Sequence, residues 1–80
     1  MALRFIGIDP ETGGGNCPAV WVDEAKREII VQGWHADETT LQECAQNSPR
    51  PADEGVVRIP ARMTAQLREA CDVADRARLR

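Results

Sequence analysis

Eighty residues, 42% hydrophobic and 29% charged, have the balance of a globular chain and argue against wholesale disorder. No apolar run reaches the roughly 18 residues of a membrane span, and a chain this short buries only about 60% of its unfolded surface, so its core is marginal. The net charge of −3 is uneven: residues 1–57 hold ten acids and four bases, a net of −6, and residues 58–80 hold six arginines and three acids, a net of +3.

Met1 to Phe5 carries a positive charge with no long apolar region behind it, so no secretory signal is expected. Leu3 to Ile8 reads as a first strand, ended by Asp9-Pro10, because proline lacks an N–H and pushes the preceding residue into an extended conformation. Gly13-Gly14-Gly15 then reads as a flexible turn. A phosphate-binding loop would need a helix behind the glycines, and here a strand follows.

The next two strands, Cys17 to Val22 and Ile29 to Trp34, flank the charged turn Asp23 to Glu28. Opposed residues of an antiparallel pair share a face. If Asp23 opposes Glu28, then Val22 meets Ile29 and Val20 meets Val31, which makes one aliphatic face. The other face carries Cys17, Ala19, Trp21, Ile30, Gln32 and Trp34. A slip by one residue would mix the faces, which burial resists. Two readings of Trp21 and Trp34 stand open: packing under the last helix beside Met63 and Leu67, or an aromatic surface for a partner or a second copy.

Asp37 suits the N-cap of a helix over Glu38 to Gln46, with Leu41, Cys44 and Ala45 as a narrow apolar stripe. Prolines and polar residues make about 47–55 a loop. Val56 to Ile59 reads as a strand. Pro60 stands at the first position of a helix running to about Asp75, on which Met63, Leu67, Ala70, Cys71 and Ala74 recur at helical spacing; residues 76–80 fray. The expected fold is a single α+β domain over 1–80: a small, mostly antiparallel sheet in the order β-β-β-α-β-α, with helices on one face.

The chemistry the chain could carry is sparse. Cys17, Cys44 and Cys71 are odd in number and widely spaced, a poor disulfide framework, so a reducing cytoplasm is the expected location. Cys44 and Cys71 read as small hydrophobes on helix faces. The pairing extended past Gln32 brings His35 near Asn16 and Cys17, so Cys17–His35 is the one nucleophile–base pair the chain allows. His35 with Asp37 and a distant cysteine falls short of a metal site, and no cofactor is expected. Arg68, Arg76, Arg78 and Arg80 could meet nucleic acid, or complement the dipole of their own helix.

The segments Gly15-Asn16-Cys17-Pro18-Ala19-Val20-Trp21-Val22, Ile30-Val31-Gln32-Gly33-Trp34 and Val57-Arg58-Ile59-Pro60 carry a resemblance. Over about residues 13–67 the chain resembles small actinobacterial proteins of unknown function, similar to the BldB-like regulator-associated proteins, from which it differs by a longer insertion at Glu38 to Glu54. The resemblance implies a cytoplasmic regulatory partner protein without catalysis, with a dimer as one assembly. The leading expectation is therefore a non-enzymatic protein-interaction module of a bacterial transcriptional regulatory system, touching a protein partner or itself through Trp21, Ile30, Gln32 and Trp34. Nucleic-acid binding through the arginine-rich helix is the second reading, and a small thiol-dependent enzyme or metal-binding protein the third.

Overall fold

The computed structural model describes residues 3–12 and 17–78. Strands β1 (Leu3–Ile8), β2 (Ala19–Asp23) and β3 (Glu28–Gln32) form an antiparallel sheet in that spatial order. The register follows the parity of the sequence: Asp23 faces Glu28, Val22 faces Ile29 and Val20 faces Val31. The hairpin closes through Glu24–Arg27; the Lys26 N–H donates to Asp23 Oδ1 at 3.0 Å, and Arg27 takes a left-handed φ of 59°. The triglycine Gly13-Gly14-Gly15 lies outside the described residues.

Helix α2 (Thr64–Arg78) lies across β1, β2 and β3. Val20 and Val22 are completely buried beneath it and form the core with Met63, Ala70 and Val73; Ile6, Ile59, Leu67 and Ala74 close around them. A bulge between Phe5 and Gly7 takes Ile6 out of the pairing, and Ile6 packs against that core. Gly7 then faces Val20 on the helix side, where a Cβ would stand 2.7 Å from Gln66 Cγ. Its missing side chain lets α2 come down onto the sheet.

The expected third strand is broken. After β3 the chain passes Gly33 and starts a separate two-residue strand, β4 (Trp34–His35). A Cβ on Gly33 would lie 2.3 Å from the Arg58 carbonyl oxygen and 2.8 Å from Ile59 Cγ2, so the approach of the later segment is what occupies the space beside this residue. The strand expected over Val56 to Ile59 is accordingly short. It is β5 (Val57–Arg58), antiparallel to β4, with Trp34 opposite Arg58 and His35 opposite Val57.

Between β4 and β5 runs helix α1 (Glu38–Asn47). Asp37 caps it as expected, accepting the Thr40 N–H at 2.8 Å. The Thr40 hydroxyl accepts from Arg58, which ties the helix start to β5. No α1 residue is buried, so Cys44 is exposed rather than apolar packing; one half-buried leucine, Leu41, is too little to seat the helix. The covering of the sheet falls to α2.

The last helix also starts and ends differently from expectation. Pro60 precedes a 3-10 turn (Ala61–Met63), whose Met63 N–H reaches the Pro60 carbonyl, and α2 proper continues to Arg78 instead of fraying after Asp75. Its buried stripe runs Met63, Ala70, Val73, Ala77. Cys71 is exposed, because one residue past Ala70 is about 100° around the helix and leaves the stripe.

Candidate functional site

The side of the sheet away from α2 is read directly off the register. Alternate residues point to opposite faces. Since Val20 and Val22 point to the helix, their odd-numbered neighbours point away, in three rows across the strands: Leu3–Asp23–Glu28, Phe5–Trp21–Ile30 and Ile8–Ala19–Gln32. Leu3, Phe5 and Ile8, on edge strand β1, are 47%, 57% and 46% exposed, which makes this column the most open apolar part of the sheet. Trp21 and Ile30 are half-buried by one another and by Phe5, whose ring centroid is 6.1 Å from that of Trp21. Of the two readings of Trp21, packing under the last helix is thus set aside: Trp21 is on the opposite face.

Trp34 does not continue this face in the same sheet, because β4 has left it. Trp34, Cys17, Pro18, Gln32 and Gly33 line a cleft of about 180 Å³ at the Gln32 corner. Gln32 bridges the two parts by donating from Nε2 to the Cys17 carbonyl oxygen at 3.0 Å. Trp21, Ile30 and Gln32 therefore share one face, and Trp34, 45% exposed, adjoins it across the cleft. The column Leu3, Phe5 and Ile8 is the part that sequence reasoning missed. The alternation Leu3, Phe5 was available as a signal, but the bulge that turns Ile8 to the same side is not visible in it.

The cleft is smaller than the roughly 300–1,000 Å³ of sites that enclose a small molecule, and its cysteine is held. Cys17 is buried and its thiol donates to the Thr12 carbonyl at 2.8 Å. His35 is not among the residues lining the cleft. It sits exposed in β4 opposite Val57, because the turn at Gly33 ends the pairing that would have carried it toward Cys17. Among the described residues no group of three His, Cys, Asp or Glu side chains could hold a metal ion.

The most fully engaged polar group is Asp9, at the end of β1. Its side chain is completely buried and accepts from Arg62 Nε and Nη2, both at 2.7 Å, from the Glu11 N–H at 3.2 Å and from the Thr12 hydroxyl. The Arg62 hydrogen bonds, with those of Thr12 and Glu11, hold the Asp9 carboxyl far below the usual carboxylate range, against the opposing effect of burial. Asp9 in turn pushes Arg62 up. A carboxylate so satisfied is a poor proton donor or acceptor and serves as a clasp between the β1–β2 connection and the start of the last helix. Nothing in the sequence flags the pair, whose members are 53 positions apart.

Arg68 and Arg76 are exposed on α2; Arg78 is its last residue, and Arg80 lies outside the described residues. Among the described residues no helix is long and apolar enough to cross a membrane. Comparisons of the chain with protein-family models, with curated proteins and with solved structures each found no match.

Proposed function

We propose that the protein is a non-enzymatic interaction module and that its contact surface is the sheet face opposite α2. The observation that carries this reading is the continuous apolar strip Leu3, Phe5, Ile8, Trp21, Ile30, three members of which are exposed by nearly half or more. Large apolar side chains gathered on one face mark contact sites, and aromatic residues contribute most per residue at such sites. Gln32 and Trp34 extend the surface on its far side. A role as an accessory of a transcriptional regulator suits a surface built for docking; it rests on the resemblance of the sequence segments.

A photo-crosslinking amino acid placed at Phe5 or Trp34, in an extract of the native host, is expected to yield discrete adducts. The same group at Cys71, exposed on the flank of α2, is expected to yield none. Equal labelling from all three positions, or labelling from Cys71 alone, overturns the reading.

A further inference from the structure

Helix α1 is held at its first turn. None of its residues is buried, and only Thr40 and Leu41, neighbours in that turn, are half-buried; every residue from 42 to 55 is exposed. A helix shorter than about 12–15 residues is marginal in water unless one face packs against something. The far end adds little. The last turn has no basic side chain to complement its dipole, and Ser48 closes it through its N–H on the Cys44 carbonyl. The Arg50 guanidinium reaches the Glu54 carbonyl at 3.0 Å, which ties the loop to itself rather than to the sheet. The core of Val20, Val22, Met63, Ala70 and Val73 includes no residue of 37–55, so it loses nothing when α1 opens.

Polar groups hold the near end. The Asp37 side chain accepts the Thr40 N–H at 2.8 Å. The Thr40 N–H and hydroxyl hold the Asp37 carboxyl below its ordinary value against the effect of burial, and the charge of Arg58 adds to this. The same hydroxyl accepts from Arg58. Arg58 stands in β5 opposite Trp34, and just past that pairing the Ala36 N–H donates to the Val56 carbonyl at 3.2 Å. Asp37, Thr40 and Arg58 thus make one run of polar contacts from the helix start to the β4–β5 pair.

We infer that segment 37–55 is a conditional element: α1 opens and re-forms while the three-stranded sheet and α2 stay folded, and its state passes through Thr40 and Arg58 to the β4–β5 pair. When the helix forms, Thr40 is in place to receive Arg58, and β5 is drawn onto β4. When it opens, Arg58 loses its acceptor and the pairing loosens. Trp34, the β4 residue opposite Arg58, lines the cleft with Cys17 and Gln32. Order gained or lost in α1 is therefore felt at that corner of the sheet, whether or not the outer face docks a partner.

Amide hydrogen exchange of the full chain tests this residue by residue. Amides 42–47 are expected to be slowed less than about tenfold relative to an unstructured chain, and those of Val20 and Val73 more than about a thousandfold. Thr40→Val keeps the shape of the side chain and removes the hydroxyl. It is expected to abolish the remaining protection in α1 and to speed exchange at Ala36, with Val73 and the melting temperature unmoved; Thr40→Ser should behave as the wild type. Arg58→Leu is expected to act like Thr40→Val, and the two together to add nothing further, since both break one contact. In the opposite sense, Gln42→Glu with Gln46→Lys, an i,i+4 pair at exposed positions, is expected to slow exchange in α1 and at Ala36 together, by about 1.5- to 2-fold. Amides of α1 protected as well as those of α2 overturn the inference, because the helix then opens only with the whole chain. Exchange at Ala36 that ignores these changes, or effects of Thr40→Val and Arg58→Leu that simply add, overturns it as well, because nothing is then passed through the contact.

Discussion

Phe5 and Trp21 stand opposite each other on neighbouring strands, ring centroids 6.1 Å apart and planes tilted by 59°, on the side of the sheet that α2 leaves open. Tilted aromatic pairs at this distance contribute about 0.5–1.5 kcal/mol beyond their buried area. Phe5 is 57% exposed, so little else is lost when it is removed. Phe5→Ser is expected to lower stability by only about 1 kcal/mol, measured by thermal unfolding. A loss beyond about 3 kcal/mol, the scale of truncating a buried aromatic, would show that this face is packed rather than open.

The core makes a contrasting expectation. Met63 is completely buried between α2 and the sheet. Met63→Ala is expected to cost about 2–5 kcal/mol, as for large-to-small changes in other cores. Total stabilities run about 5–15 kcal/mol, so denaturant titration should find this variant close to unfolding, whereas Leu41→Ala on α1 should leave the sheet's unfolding transition nearly where it was.

The clasp between Asp9 and Arg62 is asymmetric. Arg62 is 40% exposed, and its partner is completely buried. Removing the arginine strands a carboxylate in a dry site; removing the carboxylate leaves a guanidinium that water can reach. Arg62→Met is therefore expected to lower the melting temperature more than Asp9→Asn. Arg62→Lys should recover only part of the loss, since an ammonium cannot reproduce the two-pronged contact. Equal losses for Arg62→Met and Asp9→Asn would show that the burial of Asp9 does not matter energetically.

Acid should reveal the same clasp. The Asp9 carboxyl is held well below its ordinary value by Arg62 in the folded chain, so its contribution is complete above the unfolded value of about 3.9 and is lost as the pH falls below it toward the folded value. Arg62→Met removes the largest cause of the depression. Its stability difference from the wild type should then be largest near neutral pH and shrink steadily below about pH 4. A difference that stays constant from pH 7 to pH 2 would count against the assignment.

Two glycines separate backbone from side-chain crowding. At Gly33 an added methyl would meet the Arg58 carbonyl oxygen, at Gly7 the Cγ at the root of the Gln66 side chain. Gly33→Ala is expected to cost at least the roughly 1–3 kcal/mol of overpacking and to part β4 from β5; Gly7→Ala should carry an overpacking cost on the same scale, because Gln66 Cγ stands next to the Cβ fixed on α2 and clears the methyl only if the helix shifts. Loss of the Trp34–Arg58 backbone hydrogen-bond protection in hydrogen exchange would report the first effect.

What the sequence made legible and what it hid divide along the range of the forces involved. The β2–β3 register followed from Val20, Val22, Ile29 and Val31, because burial of one face punishes a slip of one residue. The Asp37 cap was equally local. The break at Gly33 depends on a carbonyl 25 positions away, and the Asp9–Arg62 clasp on residues 53 apart; neither leaves a mark in a short window. Cys44 and Cys71 were placed on apolar stripes by period alone, yet helical period does not say whether anything lies opposite the stripe. Of the sheet face opposite α2, Trp21 and Ile30 were readable from alternation, and the Leu3, Phe5, Ile8 column was obscured by the bulge.

The short ladder of β4 and β5 has a consequence for how this chain can change. Trp34 with Arg58, His35 with Val57 and the Ala36 N–H on the Val56 carbonyl pinch together the two ends of a 19-residue excursion, 37–55, whose helix buries nothing. Such a stem lets the excursion be lengthened, shortened or exchanged for an unrelated sequence while the stretches on either side keep their places, so variation can accumulate in this part of the chain without disturbing what the rest of it holds.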